Sequence, residues 1–506
     1  MRYRNPVIPG SHPDPSVCRA GEDYFLVTSS FEYFPGIPLF HSRDLVNWRQ
    51  IGHCLTRPAQ LDLAGAQCSD GVWAAAIRYH GGVFYVTSTN VRRDPWRSRN
   101  FLVCSPDPWG EWSDPSWLDE EGIDPELFFD DGSCYYVRNG PNGIWLGEVD
   151  LRDGAAVSGM THIWGGTGGA YPEGPHVYKV HGRYYLMIAE GGTGYAHMTT
   201  IARSHSLLGP YAPCPRNPIL SHRHRHSHPI QCTGHADLIE AHNGSWWLVF
   251  LGVRDRYPGA RSFHLGRETL LAPVSWDAHG WPVVNGTGTV ETEMEADCLP
   301  RVPWELERRH DDFDSPALGL RWNSLREPLG LRASLSERPG WLRLRGGPGT
   351  LDSTGPVAFV GQRQCEMNCR ATALLDFEPV QEGEEAGLTV LMSNRYHYEV
   401  GVVLRGGVRQ AIVRRRTGDV HAIVRSEPAR QGPYILTVNA DPENYTFTFA
   451  GTEWREQQLA SLEVRAVADE LAGTFTGVYL GLYASGNGRP STACADFDWF
   501  EVVPTD

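Results

Sequence analysis

The sequence predicts an all-β protein, and three observations carry that reading. Short runs rich in Val, Ile, Thr, Tyr, Phe and Trp alternate with clusters of Gly, Pro, Asp and Asn, while helical periodicity is scarce. Five of the runs hold an aromatic pair, Tyr24-Phe25, Phe84-Tyr85, Tyr135-Tyr136, Tyr184-Tyr185 and Trp246-Trp247, spaced 49 to 62 residues apart. Ten or eleven residues before each pair stands Asp14, Trp73, Asp124, Glu173 or His235. An internal repeat of this length, made of short strands, predicts a five-bladed β-propeller whose equivalent positions converge on one axis.

Taken in order, the repeats share one grammar. A first strand-like run ends in a turn signal, and the aromatic strand returns from it. The turns are Ala20-Gly21-Glu22-Asp23, His80-Gly81-Gly82, Asp130-Asp131-Gly132, His181-Gly182 and Asn243-Gly244. Runs such as Glu126-Leu127-Phe128-Phe129 and His176-Val177-Tyr178-Lys179-Val180 precede them. Past Glu291-Thr292-Glu293-Met294-Glu295 the chain crosses Pro300 and Pro303, and from Asp311 the aromatic repeat stops. The expected organisation is a propeller over 1–295, a linker over 296–310 and a β-sandwich over 311–506. Alternating runs such as Leu388–Met392 and Ile435–Val438 fit two antiparallel sheets packed face to face. Asp312-Phe313-Asp314 and Asp496–Phe500 read as its first and last strands.

Composition excludes several classes. A net charge of −15 over 506 residues, with no basic patch, argues against nucleic acid. No stretch approaches the roughly 18 apolar residues of a membrane span. Eleven scattered cysteines, with Cys365 and Cys369 the nearest pair, read as free thiols. With no apolar run after Met1, the expectation is a cytoplasmic protein. The composition is compatible with a homo-oligomer.

Three of the five special residues are acids, and each stands by a proline: Asp14-Pro15, Asp124-Pro125 and Glu173-Gly174-Pro175. Proline biases the residue before it toward extended backbone, so stiffly held carboxyls are expected around the axis. A single Asp-Pro is most often a turn; five equal offsets make a shared site the better reading. Carboxyls crowded together spread their pKa values, leaving one ionised and another protonated. Hydrolysis of a glycosidic bond needs that pair, an acid on the leaving oxygen and a base on water. Trp73 offers an apolar wall for a sugar ring. The lone His235 and dispersed acids lack compact metal-ligand spacing. Four histidines within Ser221–His228 would share one side if that tract were extended, although an exposed loop is the simpler expectation.

The segments NPVIPGSHPDPSV, GVWAAAIRYHGGVFYVTS, GIDPELFFDDG, YPEGPHVYKVHGRYYLMIAEGGT, GHADLIE and HLGRETLLAPVSW resemble glycoside hydrolase family 43. The likeness is to its β-xylosidase and α-L-arabinofuranosidase branch, and it extends through DDFDSPALGLRWN and ADFDWFEV. It implies inverting enzymes with a five-bladed propeller and a jelly-roll, concanavalin-like sandwich. It implies Asp14 as general base, Glu173 as general acid and Asp124 as the carboxylate that tunes that acid. Arg267 would hold sugar hydroxyls near the base; Phe31 and Trp73 would wall the terminal sugar, with Thr193 and His235 lining the pocket. No cofactor is required, and a structural calcium reached from His235 through water is compatible with the resemblance. Phe475, from the sandwich, is the candidate for closing the pocket. Two departures stand out: Trp73-Ala74-Ala75 replaces Trp-Ala-Pro, and Ser11-His12 precedes Pro13-Asp14-Pro15 where the family has Phe or Tyr-Asn.

The function expected is exo-acting, inverting removal of terminal xylose from xylo-oligosaccharides. α-L-Arabinofuranosidase is the second activity or the alternative main one. Outside that class stand a carbohydrate-binding propeller without chemistry and a retaining, invertase-like mechanism.

Overall fold

The doubling of the aromatic residues has a packing reason. In the computed structural model, which describes residues 1–151, 157–305, 308–451 and 455–505, each pair lies on the second strand of a four- or five-stranded antiparallel sheet. Neighbouring residues on a strand point to opposite faces. Phe25 therefore meets Phe84 between the first and second sheets, with ring centroids 4.8 Å apart. Tyr85 and Tyr136 fill the space between the second and third, Tyr135 and Tyr184 that between the third and fourth. Tyr185, Trp247 and Tyr24 share a cluster drawn from the fourth, fifth and first. Burying each such side chain contributes about 1.5–3 kcal/mol.

The first strands of the five sheets are Ser16–Ala20, Ala76–His80, Glu126–Asp130, Glu173–Val180 and Ile230–Glu240. Each lies against the next, and the fifth lies against the first, so the sheets close into a ring. The outer strands follow in chain order, as in Asp23–Val27, Gly36–Ser42 and Arg49–Leu55 of the first sheet. Arg2–Arg4 pairs antiparallel with Glu293–Glu295.

At the middle of the ring the five first strands each give a side chain to one charged cluster. Arg78 pairs with Asp237 at 2.9 Å and with Glu126, and it donates to His176 Nδ1 at 2.9 Å. Ser16 and Tyr178 hydroxyls donate to Asp237 at 2.8 and 2.7 Å. Burial would raise the Asp237 carboxyl, but the Arg78 guanidinium outweighs it and holds the group well below the usual carboxylate range.

From residue 310 onward two antiparallel sheets share one core. One runs in space through Leu342–Arg345, Cys494–Pro504, Cys369–Phe377, Tyr434–Ala440 and Asn444–Gly451. The other runs through Ala358–Arg363, Tyr479–Ser485, Glu385–Ser393, Tyr396–Arg405, Val408–Thr417 and Val420–Pro428. Leu344, Ala371 and Phe447 of the first meet Leu388, Val400 and Leu482 of the second, all buried. The strand expected at 312–314 is His310–Asp311, which pairs with the last strand through Asp311 and Phe500. The chain leaves the sheet early because Asp311 accepts the Phe313 N–H and Trp322 Nε1–H, turning Phe313 inward at φ +54°.

All eleven cysteines are free. The tract 221–228 is a series of turns, so its histidines do not share one side. His222 is buried between the Ile230 carbonyl and the Val290 N–H, and His228 Nε2 meets Glu291 at 2.9 Å, while His224 and His226 are exposed. Among the described residues no helix is long and apolar enough to cross a membrane.

Candidate active site

A cavity of about 520 Å³ is lined by Asp14, Asp124, Glu173, Trp73 and His235, one from each of the five sheets' first segments. Phe31, Thr193 and Arg267 line it as well. The structure thus brings together every site residue singled out in the sequence. Asp14 and Asp124 sit two residues ahead of Ser16 and Glu126, where pairing begins. In the fourth and fifth sheets the register is interrupted just after Glu173 and on both sides of Gly234, the second interruption spanning His235. Such bulges re-aim side chains out of a ladder.

The backbone at the acids differs from the expected extended form. Asp14 and Asp124 both lie at φ +56°, and His235 at φ +46°. Pro15 and Pro125 disfavour the right-handed helical region for the residue before them, and the chain takes a left-handed turn, which Asp tolerates better than most residues. Each such residue costs about 1–3 kcal/mol and persists only where surroundings hold it. Here they do. Ser29 Oγ and Arg267 Nη1 donate to Asp14 at 2.5 and 3.0 Å. Asp124 Oδ2 accepts the Gly174 N–H at 2.9 Å, and its own N–H donates to Thr89 Oγ1. Gly174, at φ +56°, is needed because a Cβ there would come within 2.9 Å of the His235 ring. His235 Nδ1 stands 3.7 Å from Asp14 Oδ1.

The apolar walls are cross-braced. Trp73 Nε1 donates to the Ser69 carbonyl, and its ring meets Phe475 edge-on at 5.4 Å. Phe475 comes from the second sheet pair's side of the chain and is fixed by its backbone. Its N–H donates to Ser69 Oγ at 2.9 Å, and its carbonyl accepts Arg267 Nη2 at 3.1 Å. The close approach needs Gly477, where a Cβ would stand 2.2 Å from the Leu265 carbonyl. Sequence reasoning missed Trp96 and Tyr171, both exposed at the cavity, and Asn139. Trp96 meets Trp73 edge-on at 5.9 Å. None of the three occupies the repeated position that marked Asp14, Trp73, Asp124, Glu173 and His235, and none was among the residues the resemblance implied.

Burial would raise every carboxyl here. At Asp14 the Arg267 guanidinium, His235 and the Ser29 hydroxyl outweigh it, and the group lies below its usual range. Burial and then the charge of Asp14 push Asp124 up to about 7. Burial, with Asp124 and Asp14 beside it, pushes Glu173 well above the usual glutamate range. The surroundings thus favour the ionised form of Asp14 and the neutral form of Glu173, which suits a base and an acid in one place. Burial also lowers His235 to about 4, so it is a neutral wall.

Among the described residues no group of three or more His, Cys, Asp and Glu side chains is placed to hold a metal ion. The space bounded by Ala74, Pro125, Gly174 and His235 is about 10 Å³, room for about one water. Calcium takes about six to eight oxygen ligands. Arg78 already sets a positive charge against Glu126 and Asp237 just beyond. The residues present do not fit a calcium.

Residues 3–282 match Glycosyl hydrolases family 43, and residues 310–503 match the Beta xylosidase C-terminal Concanavalin A-like domain. The chain is 44% identical over 503 residues to a non-reducing end alpha-L-arabinofuranosidase of Bacteroides ovatus, covering 99% of this chain and 94% of that one. It is 34% identical over 539 residues to a beta-xylosidase of Bacillus subtilis, with 99% of each chain covered. The crystal structure of a xylan beta-1,4-xylosidase from Bacillus halodurans superposes with a TM-score of 0.94 at 35% identity over 99% of each chain.

Proposed function

The chain belongs to glycosyl hydrolase family 43, and from that premise we infer an exo-acting, inverting glycosidase that releases terminal xylose from xylo-oligosaccharides. The carrying observation is the set of three carboxyls in one cavity, with Asp14 accepting from Arg267 and Ser29 and so favoured ionised, and buried Glu173 beside Asp124 and so favoured neutral. In this reading Asp14 draws a proton from water attacking the anomeric carbon, and Glu173 protonates the departing glycosidic oxygen. Asp124 keeps the acid protonated and anchors the Gly174 backbone beside it. Arg267 positions Asp14 and meets the sugar's hydroxyls. Phe31, Trp73 and Phe475 enclose its apolar faces, and Thr193 and His235 complete the lining. The ring of five sheets reads as a five-bladed propeller over 1–295, joined through 296–310 to a concanavalin-like sandwich over 311–506. A wall contributed by Phe475 closes one side of the cavity, which favours attack at chain ends.

α-L-Arabinofuranosidase activity is the second reading, favoured by the 44% identity to the Bacteroides ovatus protein. Rates on nitrophenyl β-D-xyloside, nitrophenyl α-L-arabinofuranoside and xylobiose decide between them. Xylosides are expected to be the faster substrates; a preference for the arabinoside reverses the order, and turnover of hexosides alone refutes both. Proton NMR of the first-formed sugar tests the stereochemistry: a β-xyloside is expected to give α-xylose first, and β-xylose first would establish retention.

Metal removal gives a separate expectation. With Arg78 supplying the central positive charge, chelation with EDTA and dialysis should leave kcat/KM unchanged, and added calcium should not raise it. A loss of activity on chelation, restored by calcium, would show a bound ion that the side chains do not announce.

A further inference from the structure

A second cavity, of about 580 Å³, lies between the two parts of the chain and has no place in the chemistry above. Val7, Ile8, Phe40 and Trp48 form an apolar wall on one side. Arg309, Arg321 and Arg363 come from the other. A concentration of guanidinium groups is unexpected in a chain of net charge −15.

Arg363 is the informative one. It is 8% exposed, and its Nη1 donates to Asn323 Oδ1 at 2.8 Å. Its Nε–H has no hydrogen-bond partner, nor has the Nδ2 of Asn323. No carboxylate pairs with Arg363 among the described residues. The acid that lines the cavity, Glu366, pairs with Arg254 at 3.5 Å. Buried charges are ordinarily paired, since an uncompensated one is costly. The nearby histidines record the same field. Burial and then Arg363 lower His53 to about 3, and burial, Arg363, Arg321 and His53 lower His12 well below its usual value. The departure at His12 thus puts a neutral ring on the wall of this cavity, where a further cation would add repulsion.

We propose that this cavity binds a sugar-sized organic anion, its acidic group on Arg363 and its ring against Trp48 and Phe40. The volume suits a small molecule with a body larger than a bare inorganic ion. A planar guanidinium presents paired donors to carboxylate or phosphate alike, so a uronate and a sugar phosphate share the required chemistry. The site is also wired to the catalytic pocket. The His12 N–H donates to the Arg267 carbonyl, and Thr269 Oγ1 donates to the His12 carbonyl, two residues before Asp14.

The test is calorimetric titration of the full chain with D-glucuronate, with glucose 6-phosphate and with neutral glucose, each with saturating xylose in the catalytic pocket. Binding of either anion at millimolar concentration or tighter, without glucose binding, is the expected result, and the arm that binds tells which acid is preferred. Arg363→Met should weaken it at least about tenfold while nitrophenyl xyloside turnover is retained. Trp48→Ala, at a half-buried position, should weaken it too and covers the case in which Arg363→Met does not fold. Absence of heat with both anions overturns the proposal. So does equal binding in the folded variants, or displacement by xylose.

Discussion

Asp14→Asn and Glu173→Gln are each expected to lower kcat on nitrophenyl β-D-xyloside by about 10²–10⁴, the usual contribution of one positioned proton transfer. Both replacements keep shape, so binding of xylose should survive, and that separates loss of chemistry from loss of the pocket. A chain that only bound carbohydrate would have no turnover to lose. The parent's pH profile carries the same logic with a definite sign. Activity needs Asp14 ionised and Glu173 protonated. Arg267 holds Asp14 low, so the acid limb should lie below the ordinary carboxylate range. Burial, Asp124 and Asp14 hold Glu173 high, so the alkaline limb should lie well above the ordinary glutamate range. Asp124→Asn removes one of the charges that keep Glu173 protonated, and the alkaline limb of kcat/KM should then move to lower pH. An unmoved or raised limb would show that Asp124 does not tune the acid.

Why some of this was legible in the sequence and some was not follows from period and locality. The aromatic pairs could be read because each blade-like sheet has two faces to seal, and a two-residue alternation supplies one ring to each. Asp14, Trp73, Asp124, Glu173 and His235 could be read because they occupy the same place in every repeat, whereas Phe31, Thr193 and Arg267 came through resemblance. Trp96 and Tyr171 could not: Trp96 opens the strand Trp96–Ser105 and Tyr171 stands two residues before Glu173, both outside the repeated offset. Phe475 was found only through resemblance; its carbonyl grips Arg267 across 208 residues, and no local pattern reports such a contact. The left-handed turns at Asp14 and Asp124 ran against the local rule, because hydrogen bonds from Ser29, Arg267 and Gly174 hold a conformation that proline alone does not select. The second-part strand ended at Asp311 and not Asp314, a difference set by one side chain capping its own turn.

The largest expected loss of stability comes from Arg78→Met. Arg78 faces Glu126 and Asp237, whose side chains are each 1% exposed. Replacing the guanidinium by a thioether of similar length keeps most of the volume and strands two carboxylates in the centre of the ring. Removing one partner of a buried ion pair costs about 3–5 kcal/mol, and here one removal strands two acids. Urea unfolding at pH 7 should show a loss of that size. Its pH dependence identifies the cause. In the parent, Asp237 is held below its unfolded value, so its stabilisation is present above the ordinary aspartate range and is lost only as pH falls through the depressed folded value. Without Arg78, burial raises the Asp237 carboxyl above its unfolded value, which penalises folding at neutral pH and relaxes as acid protonates it. The gap between parent and variant should therefore narrow from pH 7 to pH 5. A gap that is constant with pH would mean the loss is one of packing. A variant within about 1 kcal/mol of the parent would mean the five first strands hold together without this cluster.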